Sequence, residues 1–247
     1  LAYLVAALVI RNGGARAAAI YVPVALLLNW WLTLHFGDLT LAGSASLKLD
    51  SALFGLSHLY KGEGVPFDPE GLLGTLAAAA NMLAGYLVLT VIRQARPSVA
   101  ALSQGGLLVI GIAGLLAVGF ALGWDLLLPI NKKIWTSSYA LLNIGIDTAL
   151  LAALTWLIDG KGWRAGTGVL SAFGKNPLAL YIFAEVLMAL AWTFHIGGRP
   201  AFLVIYEAGF KGLGNPRLGS FLLGLAMVVL CWLVGTVMDR NRIYIRL

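Results

Sequence analysis

The chain is built from apolar stretches long enough to cross a membrane, separated by short polar loops. A helix of ~20 apolar residues spans the hydrocarbon core. Lipid offers the backbone no hydrogen bonds, so such stretches are satisfied as helices. Only 11% of the residues are charged and 60% are hydrophobic, against roughly 25% charged in a soluble domain. Mean hydropathy is +0.88. These values exclude an ordinary soluble enzyme. They also disfavour a nucleic-acid binder, because no basic run exists to track a phosphate backbone. The net charge of +6 fits cytoplasmic loops rich in Lys and Arg instead.

The pattern predicts an all-α, polytopic transmembrane bundle of about six full spans plus one partial N-terminal span. The partial span is 1–10, closed by a turn over 11–16 with Arg11 and Arg16. Full spans follow at about 17–34, 71–92, 101–123, 134–158, 174–195 and 218–238. The segment 35–70 is a long polar loop, and 159–173 and 196–217 are shorter ones. The chain begins with Leu1 and half a helix, so residues 1–247 are expected to form one transmembrane domain lacking its first helices. Cys231 is the single cysteine, which leaves no intramolecular disulfide and no cysteine metal site. No His/Asp/Glu cluster has metal-ligand spacing, and no metal is expected.

Alternate loops lie on opposite sides. One set carries nine cations in short loops: Arg11, Arg16, Arg93, Arg96, Lys161, Arg164, Arg240, Arg242 and Arg246. The other carries seven in longer loops, with most of the acids. Cation density places the first set and the C-terminus in the cytoplasm and the 35–70 loop outside. Lys132 and Lys133 then fall on the outer side, where they snorkel to headgroups or hold an anionic group.

Charge at membrane depth is costly and faces a bundle interior or a cavity. Asp147 lies roughly twelve residues into its span, ~18 Å at helical rise. Glu185 is at similar depth in the next. Tyr139, Asn143 and Asp147 recur every four residues on one face, as do Tyr181 and Glu185. They line a polar cavity or only bond helices together. Small residues at Gly74, Ala78, Asn81 and Gly85 suit close helix packing, and Gly119 and Gly123 form one GxxxG. No internal repeat and no broken-helix pair is visible, which weighs against a transporter. In the outer loop, Asp68 before Pro69 reads as the cap of the third helix, and Glu70 suits the helix dipole. Asp50, Phe54 and His58 share a face if that segment is helical, and His58 has the pKa range of a base.

Four blocks recur together: Asp50 through Gly55 to His58-Leu-Tyr60, Phe67-Asp-Pro-Glu-Gly-Leu-Leu-Gly-Thr75, Pro129-Ile-Asn-Lys-Lys-Ile-Trp-Thr-Ser-Ser-Tyr139, and Phe173-Gly-Lys-Asn-Pro-Leu-Ala-Leu-Tyr181. In this combination the chain resembles the heparan-α-glucosaminide N-acetyltransferase family and its bacterial relatives, over nearly its whole length. The resemblance implies a multi-pass acetyltransferase of the bacterial inner membrane, with acetyl-CoA as donor and the amine of a glucosamine-type sugar as acceptor. The family's catalytic histidine lies in a block before Leu1, so the chain alone is expected to be inactive. By motif, the resemblance implies substrate-binding roles for Asp68, Glu70, Asn131, Lys132, Trp135, Ser138, Tyr139, Asn176 and Glu185, and for Asp50 and His58. The phosphates of CoA call for a basic rim at Arg93, Arg96, Lys161, Arg164 and Lys175. Lys175 replaces an apolar residue of the family pattern, and Asp147 has no counterpart in it. Expected partners are the lipid bilayer, an amino sugar or glycan and a second copy in a homodimer, with no nucleic acid. Some bacterial relatives are labelled N-acetylglucosamine-related transporters, so an amino-sugar transporter without chemistry is the alternative.

Overall fold

A computed structural model describes residues 1–94 and 104–245. Among these residues the regular structure is helical apart from one hairpin of two-residue strands. The helices are α1 (Ala2–Phe36), α2 (Ala45–Phe54), α3 (Leu72–Gln94), α4 (Gln104–Trp124) and α5 (Ser137–Thr155), then α6 (Thr167–Lys175), α7 (Pro177–Thr193), α8 (Ala201–Gly209) and α9 (Pro216–Arg240). Strands β1 (His195–Ile196) and β2 (Arg199–Pro200) pair between α7 and α8. Five helices are long and apolar enough to cross a membrane, and α6 with α7 makes a sixth if the bent pair is one span. The multi-pass α-helical expectation stands on that count.

The chain divides into two compact units, Leu1–Trp163 and Arg164–Leu247. In the first, α1 packs on α3 and α4 on α5, with α3 also touching α5. The turn expected over 11–16 is a single break inside α1. Gly14 leaves helical geometry at φ 57°, ψ −145°, a conformation with a steric cost for any residue bearing a Cβ. Small side chains fill the core. Ala25, Leu26, Ala77, Ala80, Leu128 and Ala140 bury together with Trp124, and Ala6, Ala18 and Leu83 form a second cluster. Small residues let helices approach where lipid supplies no hydrophobic drive between them.

The tightest approach is not at the GxxxG. A Cβ on Gly119 or Gly123 meets nothing within 4 Å. Gly114 and Gly145 are the pair in contact: a Cβ on Gly145 falls 2.7 Å from Val118 N and 2.8 Å from Gly114 O. The spacing motif lies on an open face of α4, and the contact needed one glycine from each helix.

Two expectations about loops are corrected. The 35–70 segment is partly helical, holding α2 and a 3₁₀ turn at Leu56–His58. The segment 159–173 ends in α6, and α6 meets α7 at a bend of 82°. Asn176 sits at the bend with φ −135° and ψ 48°, and Pro177, lacking an N–H, opens α7. A bent apolar helix pair, the form of a broken span or a re-entrant loop, is therefore present where the sequence showed none.

In the second unit α9 packs on α6 and α7. Asn215 caps it, accepting from Leu218 N at 2.9 Å.

Candidate functional site

The motif blocks of the first unit converge where α1 ends and α3 and α5 begin. Asp50 on α2 is the pivot. It is 1% exposed, and its Oδ1 accepts from Leu72 N at 3.1 Å. The cap of α3 thus comes from a helix 22 residues upstream, not from Asp68 as the sequence suggested. Asp68 Oδ1 instead accepts from Glu70 N at 2.9 Å. That bond closes a local turn, so the helix starts at Leu72 rather than Pro69. Asp50 Oδ2 is buried without a partner, and it occupies the space where a side chain on Gly71 would stand. Burial pushes the Asp50 carboxyl above its ordinary range, and nearby Asp68 adds to that, against the opposing bond from Leu72. Asp68 is half-buried and Glu70 exposed.

Asp50, Phe54 and His58 do not share a face. Gly55, at φ 77°, ends α2, and beyond it the chain turns out. Asp50 is buried while Phe54 and His58 are exposed. His58 Nδ1 lies 2.7 Å from Phe54 O. A carbonyl only accepts, so Nδ1 carries the proton there and Nε2 is the ring's accepting nitrogen.

The 129–139 block is held by its own side chains. Asn131 Oδ1 accepts from Lys133 N at 2.9 Å. Thr136 Oγ1 donates to Pro129 O at 3.0 Å and accepts from Asn131 N at 3.0 Å. Ser138 is fully buried, 3.1 Å from Thr136 Oγ1. Lys133 pairs with Glu63 of the 35–70 segment, and Lys132 is exposed. Trp135 has φ 50°, rare and strained for a bulky residue. Its ring meets Tyr139 edge-on at 5.4 Å, and its Nε1 is buried without a partner. A Cβ on Gly74 would lie 3.5 Å from Trp135 Cβ. The two blocks are therefore neighbours.

Asn29 was missed by the sequence reading. It is 0% exposed on α1, donating to Trp135 O at 3.2 Å and Ser137 Oγ at 3.1 Å. Ser137 in turn donates to Leu26 O at 2.6 Å. These bonds hold the chain at the carbonyl of the strained Trp135 and just after it. Asn29 Oδ1 has no partner. A lone amide inside an apolar stretch was the available signal.

Asp147 faces α3 rather than another acid. It lines an 80 Å³ cavity with Asn81, Gly85 and Thr148. Asn143 Nδ2 turns back to Tyr139 O at 2.8 Å.

The remaining motif residues belong to the second unit. Asn176, fully buried, donates to Ile243 O and accepts from Ile245 N, both at 3.0 Å. Lys175 Nζ sits 2.8 Å from both Asp239 oxygens, and Tyr244 OH donates to one of them. The FGKNP block therefore clasps the chain after α9. Tyr181 and Glu185 are exposed on α7. Arg93, Lys161 and Arg164 are exposed, and Arg96 lies outside the described residues. No group of three metal-ligating side chains occurs among the described residues.

The chain is similar to heparan-alpha-glucosaminide N-acetyltransferase of Mus musculus. The two are 25% identical over 156 residues, 59% of this chain and 24% of that protein. This chain thus spans about a quarter of the relative it matches. No protein-family model matches it.

Proposed function

We propose that the chain is part of a membrane acetyltransferase that moves acetyl from acetyl-CoA to the amine of a glucosamine-type sugar. The observation that carries this reading is that the 67–75 block meets buried Asp50 at Gly71–Leu72 and the 129–139 block at Gly74, in a chain similar to such a transferase. The reaction needs a base for the ammonium, donors for the oxyanion and a fixed approach of amine to thioester. The amine nitrogen forms the new bond to the acetyl carbon, and the CoA thiolate leaves. Asp68 and Glu70 bind the sugar's ammonium or hydroxyls. His58, with Nδ1 committed, offers Nε2 to a proton. Lys132 and the Asn131 amide lie in the neighbouring block, with Trp135 and Tyr139 as stacking surface. Trp135 and Asp50 each keep a buried polar atom without a protein partner. Exposed Arg93 suits the phosphates of CoA; Lys175 is committed to Asp239.

A second reading is amino-sugar transport without chemistry. The bent pair at Asn176 favours it, since broken spans mark transporter sites. One assay separates the two. Acetylation of glucosamine or a terminal glucosaminide is measured with labelled acetyl-CoA and the protein in its longest natural form. Glu70→Gln and Asp68→Asn keep size and hydrogen bonding. Each should lower the rate at least about tenfold, ~1.4 kcal/mol of transition-state stabilisation. Unchanged rates in both would reduce this turn to a structural role. Saturable amino-sugar uptake into vesicles, with no acetylation, would favour transport.

A further inference from the structure

α4 and α5 touch backbone to backbone at Gly114 and Gly145, and beside that contact they part into an open groove of 810 Å³. Its walls are largely apolar, with Leu107, Gly111 and Leu115 from α4 and Ala149, Leu150 and Trp156 from α5. On α4 it runs from Leu107 to Val118, which is ~16 Å at 1.5 Å per residue. A bilayer leaflet contributes half of a ~30 Å core, ~15 Å. The groove is one leaflet long.

Its end is marked by a π-turn, Trp156–Gly160, closed by Lys161 N donating to Trp156 O at 2.9 Å. The wide turn brings Lys161 Nζ over the Trp156 ring, 5.3 Å from its centre. An indole and an ammonium together are the pair expected at headgroup level. Asp159 is exposed in the same turn. A transmembrane helix is a poor occupant. It would run the full ~30 Å, whereas this groove stops after one leaflet. An acyl chain fits the length and the lining, and the cation at the rim fits a phosphate.

We propose that this groove binds one acyl chain of an anionic glycerophospholipid from the leaflet on the Lys161 side, with its headgroup phosphate held by Lys161. The test is native mass spectrometry after release from nanodiscs of equal phosphatidylglycerol and phosphatidylcholine with matched chains. One phosphatidylglycerol should be retained about fivefold over phosphatidylcholine, the equivalent of ~1 kcal/mol for one basic residue. Lys161→Glu should abolish that preference. Ala153→Trp, which fills the groove, should release the lipid while thermal unfolding stays cooperative. If that variant fails to fold, Lys161→Glu decides alone. Absence of retained lipid, equal retention of both lipids, or a preference that survives Lys161→Glu would overturn the proposal. So would dimers in place of lipid-bound monomers, which would give the groove to a second copy. Displacement of the lipid by excess CoA would also overturn it, giving Lys161 to the nucleotide.

Discussion

Asp50 does two jobs that conflict at the scale of one side chain. One oxygen caps α3, and the other is buried unpaired. The cap needs only an acceptor, while burial disfavours charge. The carboxyl's raised pKa means the folded state holds the proton more tightly than the unfolded chain. Its contribution to stability is therefore greatest below the ordinary carboxylate pKa of about 4 and declines as pH rises through the raised value. Asp50→Asn keeps an oxygen for Leu72 N and has no charge to bury. The Tm of wild type minus that of the variant should fall as pH rises from about 4, followed by thermal unfolding in detergent. A pH-independent difference would mean the carboxyl is not desolvated. Asp50→Leu loses the cap as well and should cost about 1 kcal/mol. Neither effect was legible in the sequence, where Asp68 had the better capping position. Capping by a carboxylate from another helix has no sequence spacing to reveal it.

Among the elements, the α4–α5 pair separates a spacing motif from a contact. Gly119 is open, so Gly119→Ala should be neutral or stabilise by up to about 1 kcal/mol through helix propensity. Gly145→Ala adds the same methyl against the backbone of α4. It should destabilise by about 1–3 kcal/mol, the usual range for overpacking. Unfolding of both variants by denaturant in one detergent makes the comparison. Equal behaviour of the two would show that the helices are not in backbone contact. The span positions were readable because apolar length alone sets them. The partner of each face was not, since lipid-facing and helix-facing positions are both apolar and only small size distinguishes the second.

For the whole molecule we propose, from cation density, that the 35–70 segment lies outside and the end of α9 in the cytoplasm. Cys231 is buried and is the single cysteine, so Cys231→Ser gives a clean background. Lys61 is exposed, and Lys61→Cys should react with an impermeant thiol reagent added to intact cells. Arg240→Cys should react only after lysis. The reverse pattern would invert the topology and with it the side on which Asp68 and Glu70 stand.

Apolar run length determined the class of fold, because a backbone in lipid has few ways to satisfy its hydrogen bonds. Residue type in sequence also marked the blocks that come together: Asp50, the 67–75 turn and the 129–139 turn were all singled out. Only the tertiary structure assigned their tasks. It gave the cap of α3 to Asp50, the turn to Asp68, the support of strained Trp135 to Asn29, and the clasp on 243–245 to Asn176. It also bent α6 against α7. The physical reason is range. Periodicity and capping rules act over a few residues, whereas, the Asp68 turn apart, these bonds join residues 22 to 106 positions apart, and only packing decides which polar group meets which.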